Sequence, residues 1–376
     1  MKFEISRDGA LKQLDTFINI ELANYNFKRN FDLGPEDKSN VSCLSPYISH
    51  RLITEYEVAK TVLAKFPLQK VEKYIQEIFW RVYWKGWLEL RPQVWTDFLE
   101  DLKGLKEDDN YKKAINGETQ VECFNDWVKE LKENNYLHNH TRMWFASIWI
   151  FTLELPWQLG AEFFMQHLYD GDTASNTLGW RWVAGIQTQG KHYLASEWNI
   201  KKFTNNRFEN IKLNENAPPI ISDKNYTILH KTFENPINIE KKNLLVFENN
   251  LAFEITDFAI QKFKKILLID NKNENRNIKL SENVLNFKSS LIDEQKKRLE
   301  EKSINCEIID INEIKNLESC YCLYPTVGEN LDYINQDSLK NIEFLYRKLD
   351  QNSWKFCNKG FFNFKKYIPK IVENLE

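Results

Sequence analysis

The stretch DGDTASNTLGWRW, from Asp170 to Trp182, decides how this chain is read. Two aspartates, an asparagine six residues after the first, and a Gly-Trp-x-Trp run stand together. If Asp170, Asp172 and Asn176 lie on one loop and the helix turn after it, they offer two carboxylates and a carboxamide to one flat polar ligand. Trp180 and Trp182 then form a wall beside it. The same residues also read as an ordinary helix start, with Asp172 or Thr173 as N-cap and the tryptophans in a core. At this point both readings stand.

Upstream lie three further blocks. They are SCLSPYIS (Ser42 to Ser49), EIFWRVYW (Glu77 to Trp84), and HNHTRM (His138 to Met143), the last followed by Trp157. All four blocks together, in this order over residues 1–210, resemble the flavin-binding domain of the DNA photolyase and cryptochrome family. SCLSPYIS is similar to that family's TSxLSPYL phosphate loop, and EIFWRVYW to its ELIWREFY helix.

The resemblance implies an FAD cofactor. Its diphosphate would be held by Tyr25, Ser42, Ser45 and the amides of Cys43 and Leu44, since short hydroxyls and free amides at a turn suit phosphate. Arg81, Asn139, and the Arg142–Asp170 pair would lie at the cofactor, Asp172 would accept from the ring edge, and Asn176 would face the ring nitrogen that changes protonation. A carboxamide there both donates and accepts. Glu77, Trp80, Met143 and Trp182 would meet a flipped-out pyrimidine dimer, and Arg29 a DNA phosphate. Met143 with Asn139 matches the cyclobutane-dimer class, and Asn176 the bacterial repair branch. Light-driven electron transfer from reduced FAD to the dimer is the implied chemistry. Trp180 and Trp157 would relay electrons to the flavin, while the outermost family tryptophan aligns with Ala114. Tyr111, Trp144 and Trp198 are candidate replacements that the sequence does not rank. Each residue also has a structural alternative: Glu77 as a solvated helix residue, Arg142 as a surface arginine, Trp157 and Trp180 as core aromatics.

The departures concern DNA. Val41 replaces a threonine of the phosphate loop, His140 replaces an arginine, and YLASEWNI (Tyr193 to Ile200) lacks the arginine of the family's FRIFNP stretch. Residues 1–210 carry 26 Lys or Arg against 29 Asp or Glu, whereas a duplex-binding face should be basic. The expected partner is UV-damaged DNA, single- or double-stranded. The alternatives are a cryptochrome-like photoreceptor without repair, and a light-independent flavin or nucleic-acid binding module. No antenna pigment is implied by any motif.

Composition sets outer bounds. The chain has 376 residues, 42% of them hydrophobic and 14% aromatic, which is enough for a large core and normally means two domains. No apolar run approaches the length of a membrane-spanning helix. The segment MKFEISRDGALKQLDTF lacks an apolar signal core, so a cytoplasmic, monomeric protein is expected. Six cysteines occur without a CxxC pair, and read as scattered reduced thiols rather than metal ligands.

Eleven of twelve tryptophans precede residue 200. Helical spacing in Leu11-Leu14-Phe17-Ile18-Leu22, Ile75-Ile78-Phe79-Val82 and Phe124-Trp127-Val128-Leu131 predicts a mostly α flavin domain over 1–212. Leu213 to Lys242, with Pro218-Pro219 and Pro236, reads as a linker. From 243 to 376, short apolar runs at 244–247, 266–269, 306–309 and 322–324 alternate with helical patterns, most clearly Leu285 to Glu301. That alternation predicts a smaller parallel α/β domain. Photolyases usually carry such a domain ahead of the flavin domain. A permuted order and an unrelated Rossmann-like module are the two readings. No GxGxxG or Walker loop marks a second nucleotide site.

Overall fold

The computed structural model describes residues 3–373 apart from 257, 337, 338 and 340. Helices fill the described chain as far as Phe203, and no strand precedes Asn243 among the described residues. Their limits follow local chemistry. Glu55–Lys65 opens with a capping box, in which the Thr54 hydroxyl accepts from the Glu57 amide and the Glu57 side chain returns to the Thr54 amide. The 22-residue helix Leu68–Glu89 buries Val71, Ile75, Ile78, Phe79 and Val82 along one side and stops just before Pro92. Thr173–Ala184 starts at Asp172, whose carboxylate accepts from the Ser175 amide at 2.9 Å, and ends at Gly185 with φ 84°. Leu11 departs from its predicted stripe. It is 36% exposed on Arg7–Ile20, whose core side is Ala10, Leu14, Phe17 and Ile18.

Five parallel strands form one sheet: β1 (Asn243–Phe247), β2 (Ile266–Asp270), β3 (Cys306–Asp310), β4 (Cys320–Leu323) and β5 (Ile342–Leu345). Their order is β3-β2-β1-β4-β5. Four lie where the apolar runs predict them. β5 was not predicted, because IEFL is short and its Glu343 is exposed at the sheet edge. Apolar clusters cover both faces, as a parallel sheet requires.

The order reverses direction between β1 and β4, where doubly wound sheets open a ligand crevice. Here charged side chains line it, and the cavity extends to Ser49, Lys85 and Asp172 of the helical part. Glu248, just after β1, accepts from Arg276 at 3.3 Å, Lys288 at 3.4 Å and Asn330 at 3.1 Å. The two cations hold its carboxyl down to about 2 against the opposing effect of burial.

The helical and sheet-bearing parts share a core, because Phe287, Leu291, Trp354, Phe361 and Phe364 pack in the same cluster as the helices before residue 204. Buried polar contacts register the two parts. Arg51 donates to both Asp350 oxygens, at 2.8 and 2.7 Å. Glu89 accepts from the Tyr324 hydroxyl at 2.6 Å, the Val327 amide at 2.7 Å and Lys231 at 3.1 Å. Residues 213–242 form no helix or strand, yet Ala217 and Phe233 are buried.

Candidate functional site

The phosphate-loop block forms a tight turn. Cys43 has a left-handed backbone, φ 50°, and Leu44 follows in the right-handed region, φ −86°. This left-then-right pair points successive amides to one side, the geometry of an anion-binding nest. The amides of residues 43–45 bind no protein acceptor among the described residues, whereas those of Tyr47 and Ile48 both donate to the Leu44 carbonyl. Gln13 braces the turn through the Ser42 carbonyl at 2.7 Å.

Asp170 is buried and accepts from Arg142 at 2.8 Å. Burial raises its carboxyl, but Arg142 outweighs this and holds it below the usual carboxylate range. The Arg142 Nε donates to the Leu137 carbonyl at 3.0 Å, and its guanidinium lies 5.4 Å from the Tyr136 ring. Asp170 Oδ1 accepts no hydrogen bond among the described residues. Asp172 is ion-paired to Arg81 while also capping its helix. The two readings of this residue therefore coexist. Burial opposes its charge, and Arg81 and Lys85 keep its carboxyl low. Arg81 also donates to the Ser49 hydroxyl at 2.9 Å, which donates to the Asp170 carbonyl at 3.0 Å. Three sequence blocks thus meet in one hydrogen-bonded chain.

Asn176 is buried, and its amide group donates to the Ala161 carbonyl at 2.8 Å, which fixes the carboxamide. Trp180 is 2% exposed and its indole N–H has no partner among the described residues. Its ring neighbours are Phe145, Trp149 and Phe164. Trp157 instead stacks on Phe98 at 5.6 Å. Trp149, which sequence reasoning missed, bridges Trp180 at 6.1 Å and Tyr111 at 6.0 Å. Its place in an apolar helical run gave no signal. Of the other relay candidates, Trp198 is 67% exposed, and Trp144 is buried with its N–H on Asn199.

Glu77 is solvent-accessible, yet surrounding protein pushes its carboxyl up, with Arg29 and Lys73 acting the other way. Tyr25 shares this setting and pairs edge-to-face with Tyr74 at 5.0 Å. Trp80 is half-buried and stacked on Phe361. Trp182 is half-buried against Tyr193 at 5.8 Å, Met143 is half-buried, and Asn139 is exposed. Arg29 donates to the Asn26 carbonyl at 2.7 Å. His140 binds the Asn30 carbonyl at 2.9 Å and stacks on Trp144 at 4.2 Å; burial lowers its pKa, so it is no cationic substitute for arginine. No group of His, Cys, Asp and Glu suited to a metal occurs among the described residues.

Residues 74–215 match the family described as the FAD binding domain of DNA photolyase. Over this region the chain is similar to the photolyase/cryptochrome family. A deoxyribodipyrimidine photo-lyase of Buchnera aphidicola is 26% identical over 279 residues, 66% of this chain and 56% of that protein. The photo-lyase of Agrobacterium fabrum is 29% identical over 184 residues, 47% of this chain and 38% of that protein. The chain thus spans about half the length, or less, of these curated relatives. Among solved structures, a bacterial class III photolyase of Agrobacterium tumefaciens is 26% identical with a TM-score of 0.46, covering 53% of this chain and 43% of that one. No described helix is long and apolar enough to cross a membrane.

The residues fit the family's cofactor. The free amides at 43–45 suit a diphosphate, and the unpaired Asp170 oxygen, the fixed Asn176 carboxamide and the Arg81–Asp172 pair suit the polar edge of a flavin ring.

Proposed function

We propose that this protein binds FAD and uses blue light to split cyclobutane pyrimidine dimers in DNA. One observation carries the reading: the helix Leu68–Glu89 bears Arg81, bound to Asp172, within a turn of Glu77 and Trp80. One rigid element thus serves both the cofactor side and the lesion side. When bound, FAD supplies the light-driven electron. The chain's own residues do the rest. The turn at Ser42–Ser45 holds the diphosphate, and Arg142–Asp170 and Arg81–Asp172 flank the ring. Asn176 presents its carboxamide oxygen, since its amide group is engaged. Glu77, Trp80, Met143, Asn139 and Trp182 receive the extruded dimer, and Arg29 a backbone phosphate. Positioning and exclusion of water are the protein's share of the chemistry.

Residues 1–212 form the flavin domain, 213–242 the connection and 243–376 a Rossmann-like domain placed after it, in an order permuted relative to the family. The strand order and parallel sheet support this reading. A photoreceptor without repair is the second reading, favoured by the neutral His140 where the family carries arginine. The test combines the absorption spectrum of the purified protein with dimer loss in oligonucleotides under blue light. Flavin absorption with light-dependent dimer loss is expected. Flavin without dimer loss selects the photoreceptor. Failure to take up added FAD overturns both.

A further inference from the structure

Trp80 has a partner that the sequence gave no reason to expect. Its ring lies flat on Phe361, with centroids 3.6 Å apart and planes 10° from parallel. Phe361 opens a short helix, Phe361–Phe364, some 280 residues later in the chain. It is 3% exposed, so the stack forms the inner side of the wall. Aromatic pairs favour an offset over a direct overlay. The overlay here is imposed by the packing around it.

That packing is specific. Phe361 also meets the Tyr83 ring edge-on at 5.6 Å, and the Tyr83 hydroxyl donates to the Lys359 carbonyl at 2.9 Å. Just behind, Gly86 lets Trp354 and Cys357 approach so closely that an added Cβ would lie 2.6 Å from both. The segment from Trp354 to Phe364 is therefore clamped along the Leu68–Glu89 helix. Successive helical residues turn by about 100°, so Arg81 lies about 100° to one flank of Trp80 and Tyr83 about 60° to the other. Phe361 touches Tyr83, so it covers the flank of the indole away from Arg81 and Asp172. On the Arg81 flank Trp84, about 40° round the helix, lies 5.1 Å from the indole and tilted by 37°, so Phe361 is the one ring that lies flat on Trp80 among the described residues.

We infer that Phe361 is a positioning residue: it backs Trp80 and holds the indole flat for stacking of a flipped-out pyrimidine dimer. The C-terminal segment then has a part in recognition, and the flavin domain by itself lacks a wall of the pocket. This rests on the function proposed above. A base gains substantially from a flat, fixed aromatic face, and ordering that face in advance spares the loss of side-chain freedom on binding.

The test is binding in the dark, by fluorescence anisotropy, of the FAD-loaded full chain to an oligonucleotide with one thymine cyclobutane dimer and to its undamaged counterpart. Phe361→Ala and Phe361→Leu should each weaken binding of the dimer oligonucleotide about tenfold, as expected for a compromised stacking face. Binding of undamaged oligonucleotide and flavin content should stay at the wild-type level, and Phe361→Tyr should restore dimer binding. If Phe361→Leu binds as well as wild type, the site needs only apolar bulk and the inference is overturned. The same holds if all Phe361 variants bind normally while Trp80→Ala does not. If wild type itself shows no preference for the dimer, the proposed function fails, and this inference with it.

Discussion

Replacing Arg142 by methionine leaves Asp170 buried without its ion partner. The Asp170 side chain is 1% exposed and that of Arg142 22%. Breaking a buried pair by removing one member costs about 3–5 kcal/mol, because the remaining charge is stranded. The partial exposure of Arg142, and the continued presence of Arg81 near Asp170, place this case at about the lower end, ~3 kcal/mol. With an unfolding entropy of about 2.1 cal/mol/K per residue, a chain of this size loses roughly 4 °C in Tm. The sign with pH follows from the carboxyl. In wild type it lies below its ordinary value, so the stabilisation is present above about pH 3.9 and is lost as pH falls through the lower folded value. In the variant burial acts largely unopposed and raises the carboxyl. Its penalty is then full at high pH and fades as acid neutralises the group. The deficit relative to wild type should therefore be larger at pH 8 than at pH 5. Thermal unfolding at both pH values, with FAD held saturating because a ligand that binds the folded state raises Tm, measures it. The double variant Arg142→Met, Asp170→Leu should recover most of the loss, since no stranded charge remains. A Tm within about 1 °C of wild type at pH 8, or an equal deficit at both pH values, would show that Asp170 does not depend on Arg142, against the expectation for a stranded buried charge.

Three further outcomes follow from close packing and buried bonds. Gly160→Ala puts a Cβ 2.3 Å from the Trp180 ring. Overpacking of about 1–3 kcal/mol is expected, with a changed near-UV circular dichroism band and altered flavin photoreduction; an unchanged band would place Trp180 elsewhere. Gly86→Ala should loosen the C-terminal clamp, so amide exchange in residues 354–364 should accelerate before that of the sheet strands. Glu89→Ala strands the Tyr324 hydroxyl and the Val327 amide. It should destabilise by about 1–3 kcal/mol or more, measured by urea unfolding, with Glu89→Gln recovering part of the loss.

The amino-acid sequence by itself determined the local elements and their order. Spacing of Ile75, Ile78, Phe79 and Val82 gave a helix, four apolar runs gave four strands, and Asp172 was a candidate start of one helix, because periodicity and capping act within a few residues. The residue pattern of DGDTASNTLGWRW also pointed to a polar pocket with an aromatic wall, since side-chain chemistry is legible without a fold. Tertiary structure alone decided which groups meet. Arg81 finds Asp172 across 91 positions, Glu89 finds Tyr324 across 235, and Phe361 finds Trp80 from the far end of the chain. β5 escaped notice because its pattern is short and half-exposed, and pairing with β4 supplies what IEFL lacks. Trp149 stood unremarked in an apolar run until packing set it between Trp180 and Tyr111. Contacts of this kind depend on how the helices and sheet pack, and no local pattern in the chain encodes that arrangement by itself.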